Sequence, residues 1–243
     1  MDITYYPFRD STNTISGVIS NTRDITDRKL VESEQQFTLS LLKVLHEEND
    51  RRGLARRVTE LMQEWSGCEA VGIRLQKGED FPYFETKGFP ERFVEAEARL
   101  CAIDQNGQVI RDQEGTAVLD CMCGCVIRGF FDIGLPFFTE LGSFWTNSTT
   151  DLLKSMRGRE QFLQLRGHCH AAGYESVALI PLQSGNKRIG LLQFNDRRKG
   201  RFDERSINMF ERLASNLALG FLQCDTAVVL RDSEEKYKSL VNS

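Results

Sequence analysis

The chain has 243 residues, of which 40% are hydrophobic and 27% are charged, and its formal net charge is -4. This composition is that of an ordinary globular protein, and the acidic balance gives no electrostatic reason to expect nucleic acid or an anionic membrane as a partner. No apolar run approaches the roughly 20 residues of a membrane-spanning helix. The N-terminal sequence also lacks the basic and apolar regions of a signal peptide. We therefore expect a cytoplasmic protein with no membrane insertion in this segment.

The N-terminal part of the sequence contains two predicted strands and then a helix. The strands are YYPFR at 5–9 and ISGVISNTR at 15–23, joined by a polar turn. Because two strands do not fold alone in water, residues 1–27 are interpreted as the last strands of a larger domain. The apolar periodicity that follows predicts a linker helix over residues 28–50.

The rest of the chain alternates between helix and strand patterns around an irregular middle. In chain order the predicted elements are a helix ending at Gly67, strands at 68–76 and 81–89, a short helix at 90–100, an irregular stretch at 101–150, a helix at 151–165, strands at 174–183 and 187–196, and a helix at 203–222. A long irregular stretch inside a compact domain is typical of a functional loop or cap.

This order of elements resembles that of a GAF domain. The resemblance covers about residues 50–225 and is carried by GCEAVGIRL, GYESVALIPL, RIGLLQFND and the helix that follows them. It implies an α+β fold with a GAF-like central antiparallel sheet. Helices are expected to pack on one face of this sheet and a Cys/Phe-rich irregular cap on the other, with long N- and C-terminal signalling helices.

The flanking segments resemble parts of PAS domains. ISGVISNTRDITDRKLVE is similar to the end of one PAS domain, and SEEKYKSLVNS is similar to the start of another. We therefore predict four parts, namely PAS-like strands at 1–27, a linker helix at 28–50, a GAF-like sensory domain at 51–225, and a linker helix at 226–243 that enters a further PAS-like domain.

The resemblance implies a sensory role, with no enzymatic activity in this segment. The block from CMCGC to GYESVALIPL resembles a GAF subgroup of multi-domain sensor kinases. Such arrays usually feed a cyclic-dinucleotide enzyme or the histidine kinase of a two-component system, and the histidine kinase is the output that we expect here. Related sensors pair through their terminal helices. We therefore expect a homodimer through the N- and C-terminal helices, with neighbouring PAS and kinase domains of the parent chain as further partners.

Two cysteine-rich motifs, CMCGC at 121–125 and HCH at 168–170, form the candidate site. In an extended strand alternate side chains point to the same side, so the three cysteines of the first motif would share one face. Thiolates are soft ligands that suit zinc, iron–sulfur clusters and haem iron. The predicted ligand- or cofactor-binding residues are Cys121, Cys123, Cys125, His168, Cys169 and His170, and the predicted metal ligands are Cys121, Cys123, Cys125 and Cys169.

The residue types leave three interpretations of these motifs open. An iron–sulfur cluster or zinc would use the sulfurs, and haem would use a histidine or a cysteine. A thiol redox switch would need no cofactor, because neighbouring thiols can form and break a disulfide. The cysteines can also simply line or pack beneath a pocket, as small hydrophobic residues do.

Three residues beyond these motifs complete the predicted site. Phe144 and Trp145 belong to an aromatic cluster that could form the wall of an apolar pocket, and Asn147 could supply a polar contact to a ligand. The alternative is structural, because aromatic residues anchor caps to sheets and Asn is a common helix-capping residue.

Two further functions remain as alternatives to a sensor. GAF-fold reductases of the methionine sulfoxide type act through cysteine pairs, so CMCGC is compatible with such an enzyme. Cyclic-nucleotide-binding GAF domains carry an N-K-F-D-E signature, and FNDRRKGRFDE resembles it loosely.

Overall fold

The computed structural model describes residues 2–156 and 166–241. The chain divides into two compact units, Met1–Ser40 and Leu41–Ser243. Among the described residues, no helix combines the length and the apolar character that crossing a membrane requires.

The first unit is an antiparallel hairpin followed by part of a helix. Strands β1 (Asp2–Arg9) and β2 (Ile15–Arg23) pair with each other, which confirms the two predicted strands. The Asp10 carboxylate shapes their turn by accepting backbone hydrogen bonds. Helix α1 (Thr26–Glu47) begins in this unit and continues into the second. The large apolar side chains of the hairpin are exposed, namely Ile3, Tyr5, Tyr6, Phe8, Ile15, Val18 and Ile19.

The second unit is organised around a five-stranded antiparallel sheet. Its strands are β3 (Ala70–Leu75), β4 (Tyr83–Lys87), β5 (Phe144–Thr146), β6 (Ser176–Ser184) and β7 (Lys187–Asp196). They lie in the spatial order β4-β3-β7-β6-β5. Strands β6 and β7 form the hairpin that GYESVALIPL and RIGLLQFND predict. The predicted α+β fold with a central antiparallel sheet is therefore confirmed.

Two helices cover one face of this sheet. Helix α2 (Arg51–Ser66) packs against β3 and β4, and helix α7 (Glu204–Val241) packs against β6 and β7. The contact is aromatic at its centre, where the ring of Phe210 stacks on that of Phe194 with centroids 4.1 Å apart. Since both rings are buried, they fix the first half of α7 to the sheet.

The cap on the opposite face contains more regular structure than the sequence predicts. Its helices are α3 (Glu91–Ala96), α4 (Cys121–Arg128), α5 (Thr149–Ser155) and α6 (His168–Ala171). The expectation of an irregular stretch over 101–150 is therefore corrected at CMCGC, which opens α4. Helix α5 matches the start of the helix predicted at 151–165, and residues 157–165 of that prediction lie outside the described residues.

Strand β6 is shared by the two layers. Seven successive residues of it, from Ser176 to Leu182, are buried. Because side chains alternate along a strand, Val177 and Leu179 join the apolar cluster of the cap, while Ala178 and Ile180 point to the face that α7 covers. Strand β6 therefore lies between the apolar cluster of the cap and α7.

Candidate functional site

A small cavity lies between the cap and strand β6, with a volume of about 60 Å³. Its wall is mostly apolar, and it brings together residues from α4, α5, α6, β5 and β6. The lining residues are Glu97, Cys121, Met122, Cys123, Phe144, Thr149, Leu152, Leu153, Gly167, His168, Cys169, His170, Val177 and Leu179. Side chains from both cysteine-rich motifs therefore meet at one site, although about 40 residues separate the motifs in the sequence.

Most of the predicted site residues line this cavity, and three do not. Those that line it are Cys121, Cys123, Phe144, His168, Cys169 and His170. Cys125 packs against the apolar cluster of the cap instead. Trp145 and Asn147 lie on a separate, open groove. The amide of Asn147 is engaged by the Phe202 backbone, donating to its carbonyl oxygen at 2.7 Å and accepting from its N–H at 2.9 Å.

CMCGC is helical, which corrects the expectation that its three cysteines share the face of a strand. Successive helical residues are rotated by about 100°, so a regular helix would point Cys121 and Cys123 to nearly opposite sides. Cys121, however, has φ +67°, in the left-handed region that residues with a Cβ rarely adopt. This departure from helical geometry accompanies the convergence of both side chains on the cavity. Gly124 permits the tight turn, because a Cβ there would lie 2.5 Å from the Leu119 carbonyl oxygen.

The environment separates the cysteines into one acidic thiol and three weakly acidic ones. A hydrogen bond from the Cys123 thiol lowers the pKa of Cys121 to about 6, against the opposing effect of burial. The same hydrogen bond raises the pKa of Cys123 well above its usual range. Burial raises the pKa of Cys169 to about 12 and that of Cys125 to about 11. The environment therefore favours the thiolate at Cys121 over the thiolates of the other three cysteines.

A buried ion pair lies beside the cavity, and it was not predicted from the sequence. Arg74 is fully buried and Glu97 nearly so, and the Arg74 Nη2 atom lies 3.3 Å from Glu97 Oε2. Arg74 also donates to the Glu97 carbonyl oxygen at 2.9 Å and lies 3.6 Å from the ring centre of Tyr83. His168 Nδ1 reaches the other carboxylate oxygen of Glu97 at 2.5 Å. The sequence does contain one indication of this pair, because Arg74 is a charged residue inside the apolar strand AVGIRL.

A second polar chain ends at Cys169. The Tyr83 hydroxyl donates to Gln193 Oε1 at 2.8 Å, and Gln193 Nε2 donates to Asn195 Oδ1 at 2.9 Å. The Gln193 amide also lies 3.8 Å from the Cys169 sulfur. Asn195 belongs to the predicted cyclic-nucleotide signature, but it is buried in the sheet and occupied by this hydrogen bond. That alternative gains no support from the cavity.

The described residues do not fit the predicted metal or haem ligation. In residues 2–156 and 166–241, no group of three or more His, Cys, Asp or Glu side chains is placed to hold a metal ion. Of the proposed set of Cys121, Cys123, Cys125 and Cys169, Cys125 does not line the cavity. A haem needs a pocket of several hundred Å³, well above the volume found here.

Replacement of Glu97 by alanine is expected to destabilise the fold by about 3–5 kcal/mol, because it leaves Arg74 as an uncompensated buried charge. The matched control is Glu95→Ala on the exposed side of the neighbouring helix, which should change the free energy of unfolding by less than about 0.5 kcal/mol. Urea unfolding followed by circular dichroism measures both. Equal unfolding midpoints for the two variants would contradict a structural role for the ion pair.

Comparison with solved structures places this geometry in a known fold. The GAF domain of a phosphoenolpyruvate-protein phosphotransferase from Coxiella burnetii is 10% identical, with 82% of this chain and 98% of that chain covered and a TM-score of 0.57. A putative GAF sensor protein from Burkholderia vietnamiensis is 13% identical, with 80% and 98% covered and a TM-score of 0.54. These identities establish similarity of fold alone.

An enzyme shares the same fold. The free methionine-R-sulfoxide reductase from Neisseria meningitidis, solved in complex with its substrate, is 14% identical, with 85% of this chain and 96% of that chain covered and a TM-score of 0.53. No curated protein matches the sequence. The family model described as GAF domain matches residues 50–221. Because this match spans well over half of the sequence, the chain belongs to the GAF domain family.

Proposed function

We propose that this chain is a sensory module whose GAF domain detects a small molecule or a redox state at the cysteine cavity. The observation that carries the proposal is the position of β6, which lines the cavity with Val177 and Leu179 and meets α7 on its opposite face. Helix α7 has 38 residues and is about 57 Å long at 1.5 Å per residue. A shift of β6 would thus be carried along one continuous helix to an output domain.

The wider setting that we propose is a PAS–GAF array of a sensor histidine kinase. Residues 1–27 would complete a preceding PAS domain, which agrees with the exposed apolar side chains on both strands of the hairpin. Residues 28–50 and 226–243 would act as linker helices, the second leading into a further PAS domain. Exposed leucines on the terminal helices, such as Leu39 and Leu219, support a homodimer that these helices form. In this setting the segment itself is not an enzyme.

Occupying the cavity is expected to change the dynamics of α7. Methyl methanethiosulfonate adds a small S-methylthio group to thiolates, and Cys121 is the reactive thiol of the cavity. We expect amide hydrogen exchange in residues 204–222 to change by about fivefold or more after labelling, the lower range of coupling between linked sites. Mass spectrometry measures both the label and the exchange.

The matched control is Cys121→Ser treated with the same reagent, which should leave exchange in residues 204–222 unchanged. A chain labelled at Cys121 whose α7 exchanges as before would contradict the proposed relay.

A cysteine-dependent reductase of the methionine sulfoxide type is the second candidate. It is favoured by a specific observation, since Cys121 and Cys123 line the same cavity. The fold is shared with the Neisseria meningitidis enzyme and with that of Staphylococcus aureus, which is 12% identical with a TM-score of 0.51. Neither likeness assigns the activity to this chain.

Turnover of free methionine sulfoxide with dithiothreitol as reductant separates the two candidates. A sensory module should form methionine no faster than its Cys121→Ser variant, measured by chromatography of the amino acid. Sustained turnover in the unsubstituted chain that is lost in both Cys121→Ser and Cys123→Ser would overturn the sensory proposal in favour of the enzyme.

A further inference from the structure

Cys121 and Cys123 lie two residues apart at the start of α4, and both line the same small cavity. The thiol of Cys123 and the backbone N–H groups of Arg166 and Met122 lower the pKa of Cys121. Arg166 is itself held in place by Asp120, with its Nη2 and Nε atoms 3.1 and 3.3 Å from a carboxylate oxygen. Donors aimed at one atom stabilise negative charge there, as in sites that bind anions. Of the two cysteines, Cys121 is therefore the one whose environment favours the thiolate, and it lies at the wall of an apolar cavity.

We propose that Cys121 and Cys123 form a reversible disulfide when a small hydroperoxide enters this cavity, Cys121 being the sulfur that reacts first. The inference rests on the proposed sensory function and assigns a signal and a reaction to the same site. The size of the cavity and its mostly apolar wall suit a molecule of a few heavy atoms. The reaction needs no metal and no bound cofactor.

The first step transfers an oxygen atom to sulfur. The Cys121 thiolate attacks the terminal oxygen of the hydroperoxide, so that an S–O bond forms and the O–O bond breaks. The released alkoxide, or hydroxide in the case of hydrogen peroxide, takes a proton from water. The sulfur is oxidised by two electrons to a sulfenic acid, and the peroxide is reduced to an alcohol or to water.

The second step closes the disulfide. The Cys123 sulfur attacks the sulfenic sulfur of Cys121, the S–S bond forms, and the hydroxyl group leaves with the Cys123 proton as water. Formation of the sulfenic acid removes the charge that its hydrogen bond to Cys123 had stabilised. Cys123 then loses the main influence that keeps it protonated. An external dithiol reductant restores both thiols by exchange.

Cys123 is better placed as the second sulfur than the other two candidates. It lines the cavity together with Cys121, whereas Cys125 does not line it. Cys169 lines the cavity but is held beside the Gln193 amide, and burial keeps it protonated. Residues two apart in a helical turn also have Cα atoms within the roughly 4.4–6.8 Å that a disulfide spans.

The disulfide would distort the start of α4, and this distortion would affect the sheet against which α4 packs. The left-handed backbone at Cys121 already departs from helical geometry, so bridging it to Cys123 draws the first turn of α4 together. Helix α4 packs against β6 and β7, and β6 packs against α7. The oxidation would therefore act on the strand that carries the proposed relay.

The test treats the reduced chain with hydrogen peroxide or tert-butyl hydroperoxide, blocks the remaining thiols, and analyses the tryptic peptide of residues 112–128 by mass spectrometry. We expect this peptide to lose two hydrogen atoms and to accept one blocking group, at Cys125. In a Cys125→Ser background it should lose two hydrogens and accept none. The Cys123→Ser variant should stop at a sulfenic acid on Cys121, which dimedone traps.

Three results would overturn the inference. The first is a peptide that keeps three blockable thiols, and the second is a disulfide from Cys121 to Cys169. The third is oxidation of the peptide in Cys121→Ser at a rate within about tenfold of the unsubstituted chain. Loss of Cys121 should slow oxidation by more than that, because the thiolate is the reactive form of cysteine. Circular dichroism checks that each variant is folded, and the result on the unsubstituted chain stands without any variant.

The experiments distinguish a failure of the disulfide chemistry from a failure of the proposed relay to α7. If peroxide gives no disulfide but the S-methylthio label on Cys121 still alters exchange in α7, the signal is another molecule and the relay stands. If the disulfide forms and α7 is unaffected, the thiol chemistry stands and the relay fails.

Discussion

Burial of strand β6 on both of its faces is the constraint on which the rest of the structure depends. One face closes the cysteine cavity and the other receives α7, while β5 and β7 pair with its two edges. A strand in this position must be apolar on both faces, and VALIPL meets that need. Because interiors are densely packed, a change of shape on one face cannot be absorbed without effect on the other.

Most of the polar groups around the cavity are also buried away from water, and they contact one another. Arg74 and Glu97 compensate each other's charge in the interior, and His168 extends that pair to the cavity wall. Gln193 connects Tyr83 with Asn195 and lies beside Cys169. The residues of these two groups therefore each make a polar contact, and a hydrogen bond from the Cys123 thiol lowers the pKa of Cys121.

Much of the fold could be predicted from the sequence, because its elements carry strong periodic patterns. The hairpin of β6 and β7 and the helix that follows have apolar residues at the spacings that strands and helices require. The sequence predicted that the two cysteine-rich motifs form one site, but only from the ligand chemistry of their side chains. The fold provides the reason, since α4 and α6 both pack at the cavity beside β6.

The remaining features depend on conditions that periodicity does not report. CMCGC has a glycine and few strong helix formers, so its helical state depends on packing in the cap. The left-handed backbone of Cys121 is a property of a single residue, so no periodic pattern predicts it. Pairing of Arg74 with Glu97 joins residues 23 positions apart, and only the folded sheet brings them together.

The central claim is that the GAF cavity holds a stabilised thiolate at Cys121. Ultraviolet absorbance of thiolates, recorded on the reduced chain as a function of pH, tests it most directly when Cys121→Ser is titrated in parallel. Because the pKa of Cys121 is lowered, its thiolate persists as the pH falls until the pH reaches that pKa. The difference between the two curves should therefore show one thiol titrating near pH 6. A difference curve whose midpoint lies at or above the usual value for cysteine, about 8.5, would contradict the account.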